Sequence, residues 1–147
     1  QLGYNCYGID PSEMSVESAR TNGVNATLGT ADALPFSDKT FDIVLFGFCL
    51  YLCDRDDLFK IAAESFRILK PDSWIIINDF FSNSHNSNTY IHRDGILSYK
   101  MDYSSIFTWH PNVTSFCQSI YHHEDMKMTD RVDEWVSTSV LRRCNSF

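Results

Sequence analysis

Four stretches in the first eighty residues place polar or small groups where a ligand could be held. In "YGIDPS" a lone acid, Asp10, ends an apolar run with Pro11 directly behind it. In "DALPF" the Asp32 carboxylate can accept from an exocyclic amino group, and the Ala33 amide can donate to a ring nitrogen. Gly47 and Phe48 close "FDIVLFGF", and Asp79 stands near the end of "WIIINDFF". An acid at a strand end suits ribose, because one carboxylate accepts from both vicinal hydroxyls. Asp10 also suits a helix entry, since Asp is a favoured capping residue, and the two roles can coexist.

Such groups converge when strands share one carboxyl rim. Residues 5 to 9 form a short strand-like run, and Asp10, Pro11 and Glu13 supply a helix entry. The helix runs to about Asn22 and stops at Gly23. "VNATLG" is a second strand, and "ADALPFSDKT" an irregular connection broken by Pro35 and the Ser37 to Lys39 turn. "FDIVLFGF" and "WIIINDFF" read as strands buried on both faces. Between them Asp54 or Asp57 can cap a helix with Leu58, Ile61, Ala62, Ser65, Phe66 and Leu69 at helical spacing. Lys70 suits its carboxyl end and Pro71 stops it. This alternation predicts a parallel α/β sheet.

Residues 82 to 88 are rich in Ser and Asn and read as a loop. "DYSSIF" begins a short helix ended by His110 and Pro111. "VTSFCQSIY" and "EWVSTSVLRR" alternate as strands around the turn-rich "HHEDMKMTDR", which predicts an antiparallel edge.

At 147 residues the chain suits one domain, and its 44% apolar content predicts a packed interior. A net charge of −7 argues against a nucleic-acid partner, because non-specific affinity rests on Lys and Arg neutralising phosphates. No apolar run reaches the roughly 20 residues of a membrane span, so no membrane role is expected and the expected location is cytoplasmic. Five cysteines without a CxxC pair indicate neither a disulfide framework nor a zinc knuckle, and no metal is expected. The sequons at Asn25 and Asn112 read as chance. The start at Gln1, in mid-pattern, reads as truncated or processed.

The blocks "YGIDPS", "GTADALPFSDKTFDIVLF" and "ESFRILKPDSWIIINDF", in this order from about Tyr4 to Phe81, resemble the class I S-adenosylmethionine-dependent methyltransferases. The resemblance is to the small-molecule branch that includes the ubiquinone and menaquinone biosynthesis enzymes. It implies a Rossmann-like α/β fold with a mostly parallel sheet and an antiparallel C-terminal edge. It further implies S-adenosylmethionine as cofactor: Asp10 on the ribose hydroxyls, Pro11 near the adenine, Asp32 and Ala33 on the adenine edge, and Gly47 with Phe48 on the methionine side. The family's first strand and glycine-rich loop are lacking. That strand would lie mid-sheet, between the strand ending at Asp10 and the one beginning at Phe41, and with its helix accounts for roughly 30 residues. "KPDSW" also stands where the family usually has two glycines.

The single, incomplete domain therefore divides into a cofactor half, 1–81, and an acceptor side, 82–147. A small-molecule acceptor is expected, because "FGFCLY" lacks the Asn-Pro-Pro-aromatic motif of nucleic-acid amino-methyltransferases. The fragment itself is expected to be inactive. A base is needed mainly for a hydroxyl or acidic carbon acceptor. Candidates are His85, His92, His110, His122, His123, Tyr99 and Tyr103, with His92 and Tyr99 favoured because that segment commonly forms the acceptor wall in related enzymes. "HHED" has a His-x-Asp spacing usable by an iron triad, but this needs a distant third ligand, and a polar hairpin turn is preferred. Two alternatives are weighed. A nicotinamide-dependent oxidoreductase shares the acid after its second strand, but no Tyr-x-x-x-Lys pair occurs. The other is a non-catalytic ligand-binding or interaction module.

Overall fold

The computed structural model describes residues 3–144. A βαβ unit comes first: β1 (Tyr7–Asp10), α1 (Glu13–Thr21) and β2 (Asn25–Leu28), with the strands parallel. The chain continues through a loop to β3 (Phe41–Gly47), two short 3-10 turns, α2 (Leu58–Ile68) and β4 (Leu69–Phe80), which is parallel to β3. A hairpin of β5 (Asn86–Thr89) and β6 (Leu97–Lys100) follows, then the short α3 (Ser105–Thr108). β7 (Val113–His122) and β8 (Trp135–Arg143) pair antiparallel, giving the larger sheet the order β3-β4-β8-β7. The expected parallel sheet with an antiparallel edge is present.

Local chemistry explains the ends of α1. Ser12, rather than Asp10, is its N-cap, with the Ser12 hydroxyl accepting from the Ser15 amide at 3.3 Å. At the other end Gly23 takes a left-handed φ of +79°. The Gly23 amide donates to the Arg20 carbonyl and the Val24 amide to the Ala19 carbonyl, a paired closure that satisfies the last turn.

In α2 the buried residues Leu58, Ile61, Ala62, Ser65 and Ile68 follow helical spacing and face the core. Neither Asp54 nor Asp57 makes the expected side-chain capping bond. The helix also ends sooner than Pro71 requires, because Leu69 turns extended and pairs with Phe41 of β3. Lys70 accordingly lies on a strand, its Nζ 2.9 Å from Asp42 Oδ2. Asp72, at φ 57°, makes the turn within "KPDSW", where the β3–β4 register shifts.

Burial corrects two further expectations. Ile43 and Leu45 of β3 are 48% and 65% exposed, so this strand is not buried on both faces. The core containing Phe46, Ile61, Ile75, Ile77, Phe107 and Leu141 lies on the face shared with α2 and α3, whereas α1 serves β1 and β2. β4 alternates between buried and half-buried positions for the same reason. Within the expected loop of residues 82 to 88, Asn86–Asn88 belong to β5; this strand is polar and fully exposed, so no burial alternation marks it.

Among the described residues no ladder joins β1 to β3, and the two parallel pairs form separate sheets. The break lies where the resemblance places a further strand. Tyr7, Phe36 and Phe41 bridge the strand starts, with ring centroids 4.8 to 5.9 Å apart in edge-to-face pairs.

Phe107 is fully buried and touches Phe46 and Phe66. Phe107→Ala is expected to lower unfolding free energy by about 3–5 kcal/mol in urea denaturation.

Candidate functional site

The residues singled out for chemistry lie at strand ends and in the connections that follow. Asp10 closes β1, its carbonyl accepting from the Gly29 amide and its Oδ1 from the Ser12 amide at 2.8 Å. This ties the half-buried carboxylate to the entry of α1. No bond to Oδ2 is found among the described residues, so a carboxylate oxygen is left for an outside donor. Pro11 lies between Asp10 and the cap Ser12.

The loop carrying "DALPF" is clamped to α2. Arg67 Nη2 and Nη1 donate to the Leu34 and Phe36 carbonyls at 2.8 and 2.6 Å, and the Leu34 amide donates to Glu64 Oε2 at 2.9 Å. Glu64 and Arg67 also pair with each other, and the Arg67 guanidinium holds the Glu64 carboxyl below its ordinary range. Lys60 donates to Asp32 Oδ2 at 2.7 Å and, with Thr30, lowers the Asp32 pKa. A carboxylate has about four acceptor positions, so Asp32 keeps capacity for a further donor. The Ala33 amide, read as a free donor, instead closes a long turn bond of 3.3 Å on the Thr30 carbonyl.

Gly47 ends β3, and a methyl group added there would meet nothing within 4 Å. Phe48 holds a positive φ of 49°, uncommon for a bulky residue, and its amide bonds the Asn78 carbonyl at 2.8 Å. The next turn is organised by Asp79, which is fully buried: Oδ2 accepts from the Cys49 and Leu50 amides at 3.1 and 2.8 Å, and Oδ1 from the Phe80 amide at 2.8 Å. Burial pushes its carboxyl up to about 6, while these amides pull the other way.

A pocket of about 300 Å³ is lined by Tyr51, Phe80, Tyr90, His92 and Lys100, among others. Burial, and then its bond with Tyr90, raise the Tyr51 pKa. His92 is exposed and meets Tyr90 edge-on at 5.2 Å. Tyr99 is absent from this lining; its ring instead lies 4.2 Å beneath the Arg55 guanidinium. Arg55 also donates to the Tyr103 hydroxyl, which donates in turn to the Tyr99 carbonyl. Burial raises the Tyr103 phenol to about 12. Of the other candidates, His85 is exposed, His110 packs 4.8 Å from Phe66, and His122 and His123 lie at the end of β7 and the turn after it.

Sequence reasoning set Asp79 on the rim without a role, and it missed Lys60, Glu64 and Arg67 as organisers of the second connection. The Glu64–Arg67 spacing of three on one helix was the available signal.

A family described as "Methyltransferase domain" matches residues 1–77. A ubiquinone/menaquinone biosynthesis C-methyltransferase, UbiE, of Desulfotalea psychrophila is 37% identical over 68 residues, covering 44% of this chain and 27% of that protein. The chain spans between 20% and 39% of the length of the curated relatives it matches. Among solved structures, a SAM-dependent methyltransferase of Methanosarcina mazei superposes with a TM-score of 0.77 at 13% identity, over 98% of this chain and 84% of that one. A 1,6-didemethyltoxoflavin-N1-methyltransferase of Burkholderia thailandensis, with bound 1,6-didemethyltoxoflavin and S-adenosylhomocysteine, gives 0.71 at 15% identity, over 97% and 63%.

The buried Asp79 carboxyl generates a pH prediction. An unfolded Asp loses its proton near 3.8, whereas folded Asp79 keeps it to about 6. Its contribution to stability is therefore fully present below about pH 4 and declines as pH rises through 6, by roughly 3 kcal/mol. Urea denaturation between these pH values should show that decline in the wild type and a flatter profile in Asp79→Asn.

Proposed function

The chain belongs to the methyltransferase-domain family, whose cofactor is S-adenosylmethionine, and from that premise we propose that it forms part of an enzyme methylating a small molecule. The observation that carries this reading is the set of donor and acceptor groups on the strand-end connections. Asp10 presents an oxygen without a partner among the described residues, Asp32 is held ionised by Lys60, and Gly47 leaves open space at the end of β3. The residues present fit the cofactor. Asp10 would hold the ribose hydroxyls, Pro11 would lie near the adenine with Asp32 on its edge and the Ala33 amide exchanging its long turn bond for the ring nitrogen, and Gly47 with Phe48 would line the methionine portion.

S-adenosylmethionine supplies an activated methyl group when bound, so the protein's task is alignment. The Asp79 carboxylate fixes the Phe48–Leu50 turn, and Glu64 with Arg67 fixes the loop carrying Asp32. The pocket beside Tyr51 and Phe80 suits a small acceptor with an apolar body. His92 is the proposed proton acceptor there. Tyr99 is assigned to the acceptor side as a positioning residue, acting through Arg55.

That no ladder joins β1 to β3 among the described residues supports a further part of this reading: one more parallel strand would join the two sheets, and the chain alone turns over no acceptor. Isothermal calorimetry with S-adenosylhomocysteine tests both parts. A protein with the completed sheet is expected to bind, and its Asp10→Ala variant to bind about 10- to 100-fold more weakly, from lost charge-assisted hydrogen bonds. Equal affinity in the variant would leave Asp10 as a backbone-tying residue.

A further inference from the structure

The turn between β7 and β8 brings together groups that the sequence motif alone does not join. His122 is the last residue of β7 and pairs with Trp135; one step on, the His123 amide donates to the Glu134 carbonyl at 3.2 Å. Neighbouring residues on a strand point to opposite faces, but here the chain leaves the strand between them. The two imidazoles consequently lie on one side, centroids 5.1 Å apart and planes tilted by 30°. Both face the same carboxylate oxygen: Glu134 Oε2 is 3.5 Å from His122 Nε2 and 2.9 Å from His123 Nδ1. The side chains are 12%, 35% and 21% exposed for His122, His123 and Glu134 respectively.

We infer that His122, His123 and Glu134 form a binding site for one first-row divalent cation of borderline softness, with zinc the best match. Two imidazole nitrogens and one carboxylate oxygen are donors of that class. Their atoms all lie within 4.8 Å of one another. Tetrahedral coordination at zinc's usual bond lengths of about 2.0–2.2 Å needs ligand atoms about 3.3–3.5 Å apart, so small side-chain rotations close the site. The third ligand is Glu134, and the His-x-Asp spacing of "HHED" plays no direct part.

Each ligand also has an outer partner. Arg131 bonds the second oxygen of Glu134, fixing the carboxylate. Glu124 Oε1 lies 3.9 Å from His123 Nε2, and Asp125 Oδ1 lies 3.6 Å from His122 Nδ1. His122 Nδ1 accepts from the Glu124 amide at 3.2 Å. With a cation on Nε2, Nδ1 carries the proton instead, and rotation of Asp125 from 3.6 Å would let its carboxylate accept a hydrogen bond from it. Hydrogen-bonded carboxylates orient imidazole ligands, and both acids stand within a side-chain rotation of that role. Three protein ligands leave a fourth position for water. The His123 ring lies 6.1 Å from Phe80, so an occupied site would brace one wall of the neighbouring pocket. None of this depends on the cofactor reading.

The test uses the whole chain, titrated with zinc by calorimetry and with cobalt(II) by electronic absorption. One equivalent should bind, with the d–d spectrum of nitrogen and oxygen ligation and no thiolate charge-transfer band. Glu134→Gln and His123→Gln, the latter at a half-exposed position, should each weaken binding at least about ten-fold, and Arg131→Ala by roughly ten-fold. His85→Ala, in an exposed loop, should leave affinity unchanged. Absence of saturable uptake, equal affinity in Glu134→Gln and His123→Gln, or a thiolate band from the cysteines would each overturn the site.

Discussion

The Asp79 carboxylate is the constraint on which the carboxyl ends of β3 and β4 depend. An acid with no exposed surface carries a desolvation penalty, and here it is offset only in part by amides that would otherwise lack partners as β3 gives way to a turn. The exchange fixes more than one strand end. It joins β3 to β4 at their carboxyl termini and supports Phe48 in a conformation that costs of order 1–3 kcal/mol. Tyr51 then stands on the wall of the pocket beside Phe80.

A second polar organiser acts on the opposite flank. Arg67 reads the backbone of the loop between β2 and β3 through the Leu34 and Phe36 carbonyls, while Glu64 takes the Leu34 amide. The planar guanidinium suits this task, because its donors are pre-arranged and remain charged. α2 therefore serves two surfaces. Its apolar stripe supports the sheet, and its polar stripe holds the connection that carries Asp32.

Much of this architecture is legible in local pattern. Gly23, the stripe from Leu58 to Ile68 and the alternation in Val113–Tyr121 each announce an element through rules that span a few residues. The rest depends on distant partners or on competition between neighbours. Ser12 takes the cap while Asp10, two residues away, binds the cap's own amide. β5 carries no hydrophobic code because neither face is buried. The apolar run of β3 gives no sign that Ile43 and Leu45 remain exposed, since that depends on what covers the sheet. Asp79 finds two of its amide partners 29 and 30 residues away, beyond any motif window. Asp10, Asp32 and Gly47 stood out in the sequence because their types and order match a ligand rim; the groups that hold that rim did not.

The Tyr7–Phe36–Phe41 cluster has a consequence for cooperativity. Residues 7 to 28 form a local unit with its own two-strand ladder and helix, and these rings tie it to the rest. Among the described residues no ladder joins it to β3, and units without such a link open locally at less cost than global unfolding. Under the proposed reading, a ligand spanning Asp10 and Gly47 would touch both parts and favour their association. Its affinity would then be scaled by the associated fraction, so changes in the three rings would alter binding without touching the ligand.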